Sequence, residues 1–211
     1  MSEWITPQPS PVPDDFQSLI GGHPLIAQAL ARRGFPSAEA ARAFLDPGEY
    51  QPTPAEELPG IELAGERLER AILAQESLCV WGDFDVDGQT ATTLLVSTLR
   101  ELGAKVGYYI PVRARESHGV HLPRLQQLID EGAQVIVTCD TGIAAFEAAA
   151  YAQARGVDFI VTDHHELTPE LPPAYSITNP QMLPADHPLR TLPGVGVAYK
   201  LAEHLLARMG K

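Results

Sequence analysis

From residue 60 onward, short apolar runs alternate with stretches of helical periodicity, and this alternation restricts the fold more than any other feature of the chain. Leu78-Cys79-Val80-Trp81 is one such run. Val106 to Ile110, Val135-Ile136-Val137-Thr138-Cys139 and Asp158-Phe159-Ile160-Val161 follow it, and Ala174 to Thr178 reads as a further short strand. Between them, periodicity predicts helices over residues 60–75, Thr90 to Leu102, Leu122 to Asp130, Ala144 to Arg155 and Val195 to Met209. In the first of these, Ile61, Ala64, Leu68, Ala71 and Ile72 share one face. Strands that are apolar throughout are covered on both sides. Linked by amphipathic helices, they predict an α/β fold, a parallel sheet with helices on both faces.

Ahead of this region the pattern differs. In residues 1–16, Pro7, Pro9, Pro11 and Pro13 alternate with other residues, which predicts a flexible, Pro-rich arm. Residues 17–59 read as a small helical region with a linker. Leu25, Ile26, Ala29 and Leu30 recur at helical spacing, and Gly34 after Arg32 and Arg33 is a stop signal. Ser37 can cap a second helix that carries Ala40, Ala41 and Phe44 on one face. Asp46 to Pro59 is rich in proline and reads as loop. The expected organisation is therefore an arm over 1–16, a helical region over 17–59 and an α/β domain over 60–211.

The charge balance narrows the function. With 15 Lys and Arg against 27 Asp and Glu, the chain carries −12 at pH 7. That argues against a generic basic nucleic-acid binder and against a protein that docks on anionic membranes. It leaves room for a nucleic-acid enzyme whose acidic residues hold metal ions. Cys79 and Cys139 are the two cysteines, too few for a disulfide framework or a Cys-based zinc site. No apolar run approaches the ~20 residues that span a bilayer, and Met1 to Phe16 lacks a basic flank and an apolar core. A cytoplasmic protein without membrane attachment is expected.

In an open parallel sheet, ligands bind beyond the carboxyl ends of the strands. The run ending at Trp81 leads into Gly82-Asp83-Phe84-Asp85-Val86-Asp87-Gly88, the run ending at Cys139 into Asp140-Thr141-Gly142, and the run ending at Val161 into Thr162-Asp163-His164-His165. Five aspartates and two histidines thus reach one edge. Taken singly, each has a plain structural reading: Asp87 can cap a helix beginning near Gln89 or Thr90, Asp83 and Asp85 can be turn residues, and Asp140 can satisfy the turn before Gly142. Taken together, converged carboxylates repel one another and need a positive partner, most simply a divalent cation.

Asp83-x-Asp85-x-Asp87-Gly88 begins like an EF-hand loop, but the twelfth position is Leu94 where that loop needs Glu, and the preceding segment is a strand. Carboxylates with one or two imidazoles and no thiolate suit Mn²⁺ or Mg²⁺, with Zn²⁺ possible. Two such ions ~3.5–4 Å apart can clamp the attacking and leaving oxygens of a phosphoryl transfer and lower the pKa of the attacking water. Asp140, arriving from a different strand, is placed to bridge them. Of the adjacent His164 and His165, one can ligate metal while the other contacts a substrate phosphate. Two divalent ions would take −12 to −8 and reverse the local field.

Other residues admit two readings each. Arg113, Arg115 and Arg124 can contact a nucleic-acid backbone or be solvated surface charge. Gly194-Val195-Gly196, ahead of a helix, can present amides to a phosphate or form a tight turn that lets the helix pack closely. Trp4, Tyr108 and Tyr109 can stack bases, although Tyr108 and Tyr109 in a strand are more simply packing residues. Cys139 reads as an inert buried thiol.

Asp163-His164-His165 resembles the signature of the DHH phosphoesterase superfamily. Gly82-Asp83-Phe84-Asp85-Val86-Asp87-Gly88 is similar to its first motif and Thr138-Cys139-Asp140-Thr141-Gly142 to its second. Ala31-Arg32-Arg33-Gly34, Ile110-Pro111-Val112-Arg113 and Leu192-Pro193-Gly194-Val195-Gly196-Val197-Ala198 are similar to segments of the RecJ-type exonucleases, a bacterial family within it. The resemblance runs from about residue 24 to the end. It implies a two-metal phosphodiesterase that cuts single-stranded DNA from the 5′ end with Mn²⁺ or Mg²⁺, in the company of DNA-repair proteins. It implies Asp85, Asp87, Asp140 and His164 as metal ligands, Asp83 and His165 as ligands or close neighbours, and Asp163 as the residue that orients a histidine. Catalysis would then fall to Asp85, Asp87, Asp140, His164 and His165, and substrate contacts to Arg113, His118, His165, Gly194 and Gly196.

The chain departs from the family pattern at Trp81, where many members carry a histidine, and at Ser117-His118-Gly119, where Gly-Tyr-Gly is common. The family also has a fourth metal-binding aspartate and a DHH-associated domain beyond the position of Lys211. The expectation is a partial catalytic core, weak or inactive by itself. Two other readings stand beside it: a hydrolase of short oligonucleotides, cyclic dinucleotides or pyrophosphate, and a non-catalytic module that binds nucleic acid or a partner protein.

Overall fold

A computed structural model of the chain describes residues 11–12, 16–116 and 118–211. Most of the expected Pro-rich arm, Trp4 included, lies outside the described residues. The chain divides into two compact units, Met1–Pro52 and Thr53–Lys211.

In the first unit, helices α1 (Phe16–Ile20), α2 (Pro24–Arg32) and α3 (Ala38–Leu45) close on Phe16, Ala27, Leu30 and Ala41. Phe16 opens α1 and is buried. Ser37 caps α3, accepting from the Ala40 amide at 3.3 Å, and Gly34 takes the left-handed φ of 83° that ends a helix. Arg42 donates to the Leu19 carbonyl at 2.7 Å and ties α3 to α1.

The second unit contains α4 (Ile61–Leu73), β1 (Ser77–Trp81), α5 (Val86–Glu101), β2 (Lys105–Tyr109), α6 (Arg113–Glu116), α7 (Leu122–Asp130), β3 (Val135–Cys139), α8 (Phe146–Ala154), β4 (Asp158–Thr162), β5 (Ser176–Thr178) and α9 (Gly194–Arg208). The five strands form one sheet in the order β2-β1-β3-β4-β5, every neighbouring pair parallel. The α/β expectation holds. The faces of α4, α5 and α9 bury Leu68, Leu95, Leu99 and Leu201 with Val80 and Val137 on one side of the sheet. On the other side, α7 and α8 bury Leu125, Ala149 and Ala152 with Trp81, Ile136 and Phe159. Strands β1, β3 and β4 are mainly apolar and almost wholly buried because both of their faces are covered.

Three elements differ from the sequence expectation. Strand β2 is an edge strand whose residues stay largely exposed, Tyr108 among them. Tyr109 packs its ring on Trp81 with centroids 4.8 Å apart. Helix α5 begins at Val86 rather than Thr90. Asp85, not Asp87, caps it, accepting from the Gly88 amide at 2.9 Å. The early start is hidden in the sequence by Val86 and Gly88, both poor helix formers. Gly88 is there for packing, since a Cβ at that position would lie 2.6 Å from Asp83 Cβ. The Asp46 to Pro59 segment is not all loop either. It holds a 3₁₀ turn at Ala55–Glu57, and Ala55 and Leu58 bury against the sheet-facing helices.

Ile160 lies at the centre of β4 with no exposure. Ile160→Val is expected to lower unfolding free energy by about 0.5–1.5 kcal/mol, read by urea denaturation, because one methyl leaves a void the packed sheet fills only in part.

Candidate metal centre

The direction of the sheet order reverses at β1: the chain crosses to β2 on one side and returns to β3 on the other. In such a sheet the ligand crevice opens beyond the carboxyl ends of the two strands at that point. Here those ends are Trp81 and Cys139, so the crevice is flanked by Asp83 and Asp85 after β1 and Asp140 after β3. A cleft of about 730 Å³ lies there, lined by Asp83, His118, Asp140, Gly142, Asp163, His165 and, unforeseen from sequence, Glu166 and Thr168.

Asp140 is the centre of the site. Its φ is 60°, a left-handed conformation that aspartate tolerates better than most residues. The next turn is equally constrained, because a Cβ at Gly142 would lie 2.5 Å from Thr138 Oγ1. Asp140 is 2% exposed, yet its Oδ1 has no hydrogen-bond partner among the described residues. His164 Nε2 lies 3.0 Å from that oxygen without hydrogen-bond geometry and 3.6 Å from Asp87 Oδ2. Burial, with the charges of Asp87 and Asp85 added, pushes the Asp140 carboxyl up to about 7.

Two groups of ligand atoms share Asp140. Asp83, Asp85 and Asp140 bring oxygens within 4.8 Å of one another, and Asp140, His164 and His165 do the same with an oxygen and two nitrogens. A residue common to two such groups, with a buried carboxylate oxygen that has no hydrogen-bond partner among the described residues, is the arrangement a cation would complete. Oxygen and imidazole donors without thiolate fit Mn²⁺ or Mg²⁺. The residues present therefore fit a metal.

Asp163 plays a different part. It is 1% exposed, and its carboxylate accepts from the Ile143 amide at 2.9 Å, the His164 amide at 2.7 Å and the His165 ring Nδ1 at 2.7 Å. Burial alone would raise it. The hydrogen bonds from His165 and Ile143 outweigh that and hold it below the usual carboxylate range. In return, that same bond from the ring pushes His165 up to about 9 against the opposing effect of burial. His165 Nε2 is then the ring atom turned to other work, and at neutral pH it carries a proton. Asp163→Asn is expected to bring His165 down toward the ordinary histidine value near 6.5, followed by NMR titration of its ring protons in metal-free protein. A His165 that still titrates near 9 in the variant contradicts the pairing.

The other predicted residues fall around the rim. His118 Nδ1 lies 3.5 Å from Asp83 Oδ2, and its ring packs on Phe84 at 4.5 Å. The Arg113 guanidinium sits over the same Phe84 ring at 5.1 Å. Sequence reasoning misses Phe84, although it stands between Asp83 and Asp85 of the first motif. Arg124 lies over Tyr109 at 4.8 Å. Asp87 accepts from the Gly194 amide at 2.8 Å and the Val195 amide at 2.7 Å, so these donors at the start of α9 are engaged within the chain. At Gly196, a Cβ would meet Leu192 and Pro193, a close turn. Cys139 is fully buried, and burial pushes its thiol up to about 12, an unreactive state.

The model of the DHH family, N-terminal domain, matches residues 77–211, the stretch that holds the whole sheet. The chain belongs to the DHH family. Among curated DHH relatives, it is 42% identical over 189 residues to the single-stranded-DNA-specific exonuclease RecJ of Bacillus subtilis, which covers 88% of this chain and 24% of that protein. It is 37% identical to RecJ of Escherichia coli over 179 residues, 84% of this chain and 30% of the relative. The chain thus spans about a quarter to a third of the length of these relatives. A structure of RecJ from Thermus thermophilus in complex with Mn²⁺ superposes with a TM-score of 0.75 and 30% identity, over 93% of this chain and 27% of that one. A structure of exonuclease RecJ bound to manganese gives 0.70 and 34%, over 75% and 40%. No described helix is long and apolar enough to cross a membrane.

Proposed function

We propose that this domain is the metal-binding core of a RecJ-type phosphodiesterase, one that removes nucleotides from the 5′ end of single-stranded DNA. The observation that carries the proposal is Asp140, shared by two groups of potential ligands at the crevice between β1 and β3 and holding a buried Oδ1 with no hydrogen-bond partner among the described residues. Asp85, Asp87, Asp140 and His164 would hold two divalent ions, with Asp83 beside them. Bound there, the ions supply an activated water and offset charge developing on phosphate. Asp163 holds the ring of His165 through Nδ1 in the wall of the cleft, which leaves the protonated Nε2 as a donor for a phosphate oxygen. Arg113 and His118, stacked on Phe84 at the rim, supply a cation and an aromatic face for an approaching strand. This local chemistry suits nucleic acid despite a net charge of −12. A cytoplasmic setting in DNA repair or recombination, with repair proteins as partners, follows from the same reading.

The test has two parts. Titration with Mn²⁺ should show saturable binding to this chain. A chimaera carrying this chain in place of the matching segment of the Bacillus subtilis relative should release nucleotides from a 5′-phosphorylated single-stranded oligonucleotide. Absence of Mn²⁺ binding, or release from the 3′ end, sinks the proposal. Cleavage of dinucleotides alone would move the assignment to a small-substrate hydrolase.

A further inference from the structure

Helix α9 starts without a side-chain cap of its own: Pro193 stands at the N-cap and makes no side-chain hydrogen bond. A helix leaves its first four amides free. At α9, the first two go to Asp87, 107 and 108 residues earlier in the chain. Gly194 N–H meets Oδ2 and Val195 N–H meets Oδ1, so the carboxylate is held in a fork, both oxygens fixed. Each oxygen still has a lone pair for a cation. The same glycine lies against the other strand end. A Cβ at Gly194 would stand 2.5 Å from Asp140 Oδ1 and 2.6 Å from Asp140 Cβ. An added methyl would therefore press on the oxygen that lacks a partner.

We propose that Gly194 is a positioning residue of the metal centre. By presenting an amide to Asp87 in the first turn of α5 and no side chain to Asp140 after β3, it fixes both carboxylates on either side of the His164 ring nitrogen. Close packing of α9 on the sheet would require a small residue, but it would not require the fork on Asp87. The proposal rests on the reading of Asp87 and Asp140 as metal ligands, and its test separates the two.

Mn²⁺ affinity is measured on this chain by titration, beside urea denaturation of the metal-free protein. Loss of a group that orients a metal ligand costs 10–100-fold in affinity. Gly194→Ala is expected to bind Mn²⁺ at least tenfold more weakly. Val195→Pro replaces the second amide N–H with a ring carbon set against Asp87 Oδ1, so it breaks one arm of the fork and displaces that carboxylate, and is expected to lose affinity by at least about tenfold. Leu205→Ala, in the buried part of the same helix, should lower stability and leave affinity within about twofold. Should Gly194→Ala fail to fold, Val195→Pro decides. Affinity within twofold of wild type in Val195→Pro, or a loss in Leu205→Ala as large as in Gly194→Ala, overturns the positioning role. If Asp140→Ala leaves Mn²⁺ binding intact, the metal reading falls and the inference with it.

Discussion

Asp140→Ala is expected to weaken Mn²⁺ binding by at least about a hundredfold and to abolish nucleotide release by the chimaera. Groups that only orient a ligand cost 10–100-fold when removed, and Asp140 is placed closer than that. It belongs to both clusters of ligand atoms, and it is the member whose oxygen is buried without a donor. Its removal should therefore disturb both groups, whereas loss of Asp83 or His164 touches one of them. The fold should survive: alanine at the left-handed φ of 60° costs about 1 kcal/mol, but the backbone keeps its hydrogen bond to the Thr162 carbonyl at 3.0 Å and a repelling charge is removed. Titration calorimetry and release of 5′ nucleotides read the two effects. A variant that binds Mn²⁺ like wild type would show that the clustered carboxylates are structural.

Much of this site was legible in the sequence for a simple geometric reason. In a parallel sheet every strand ends at the same edge, so residues after β1, β3 and β4 must meet even though Asp83 and His165 lie far apart in the chain. The apolar runs located those strands because β1, β3 and β4 are buried on both faces. Strand β2 shows the limit: Lys105 to Tyr109 is an edge, and its exposure depends on what does not pack there. Long-range contacts were beyond reach for the same reason. Nothing local in Asp87 says that amides of Gly194 and Val195 will hold it. Gly88 reads from sequence as a loop residue, and the close packing expected at Gly194 has no partner named in the sequence; in the fold each is small because a carboxylate-bearing segment passes within van der Waals distance. Local propensity misplaced the start of α5 on that account. Phe84 lacked a signal because stacking by His118 and Arg113 needs residues that arrive from the loop after β2.

Metal-free protein should lose stability as pH rises, and Asp140→Asn should remove most of that slope. The carboxyl of Asp140 moves from an ordinary 3.8 to about 7 on folding. The folded chain thus binds this proton more tightly than the unfolded chain. The contribution is complete below about pH 4 and is lost as pH rises through 7, up to about 4 kcal/mol for a shift of this size. His165, pushed up to about 9 from 6.5, acts in the same direction, its share lost between those values. Asp163, held low, has the opposite sign, but its contribution disappears only in acid, below the ordinary carboxylate range. Urea denaturation in chelator at pH 4.5, 6 and 7.5 isolates the Asp140 part as the difference between wild type and Asp140→Asn. That difference should be small at pH 4.5 and grow in favour of the variant toward pH 7.5. Mn²⁺ should reverse the order, since a cation binds the deprotonated carboxylate and stabilises the wild type more at pH 7.5 than at 4.5. A difference that stays flat across this range would mean that Asp140 ionises in the folded chain as freely as in the unfolded one. The site would then lack the excess negative charge that makes a divalent cation its natural complement.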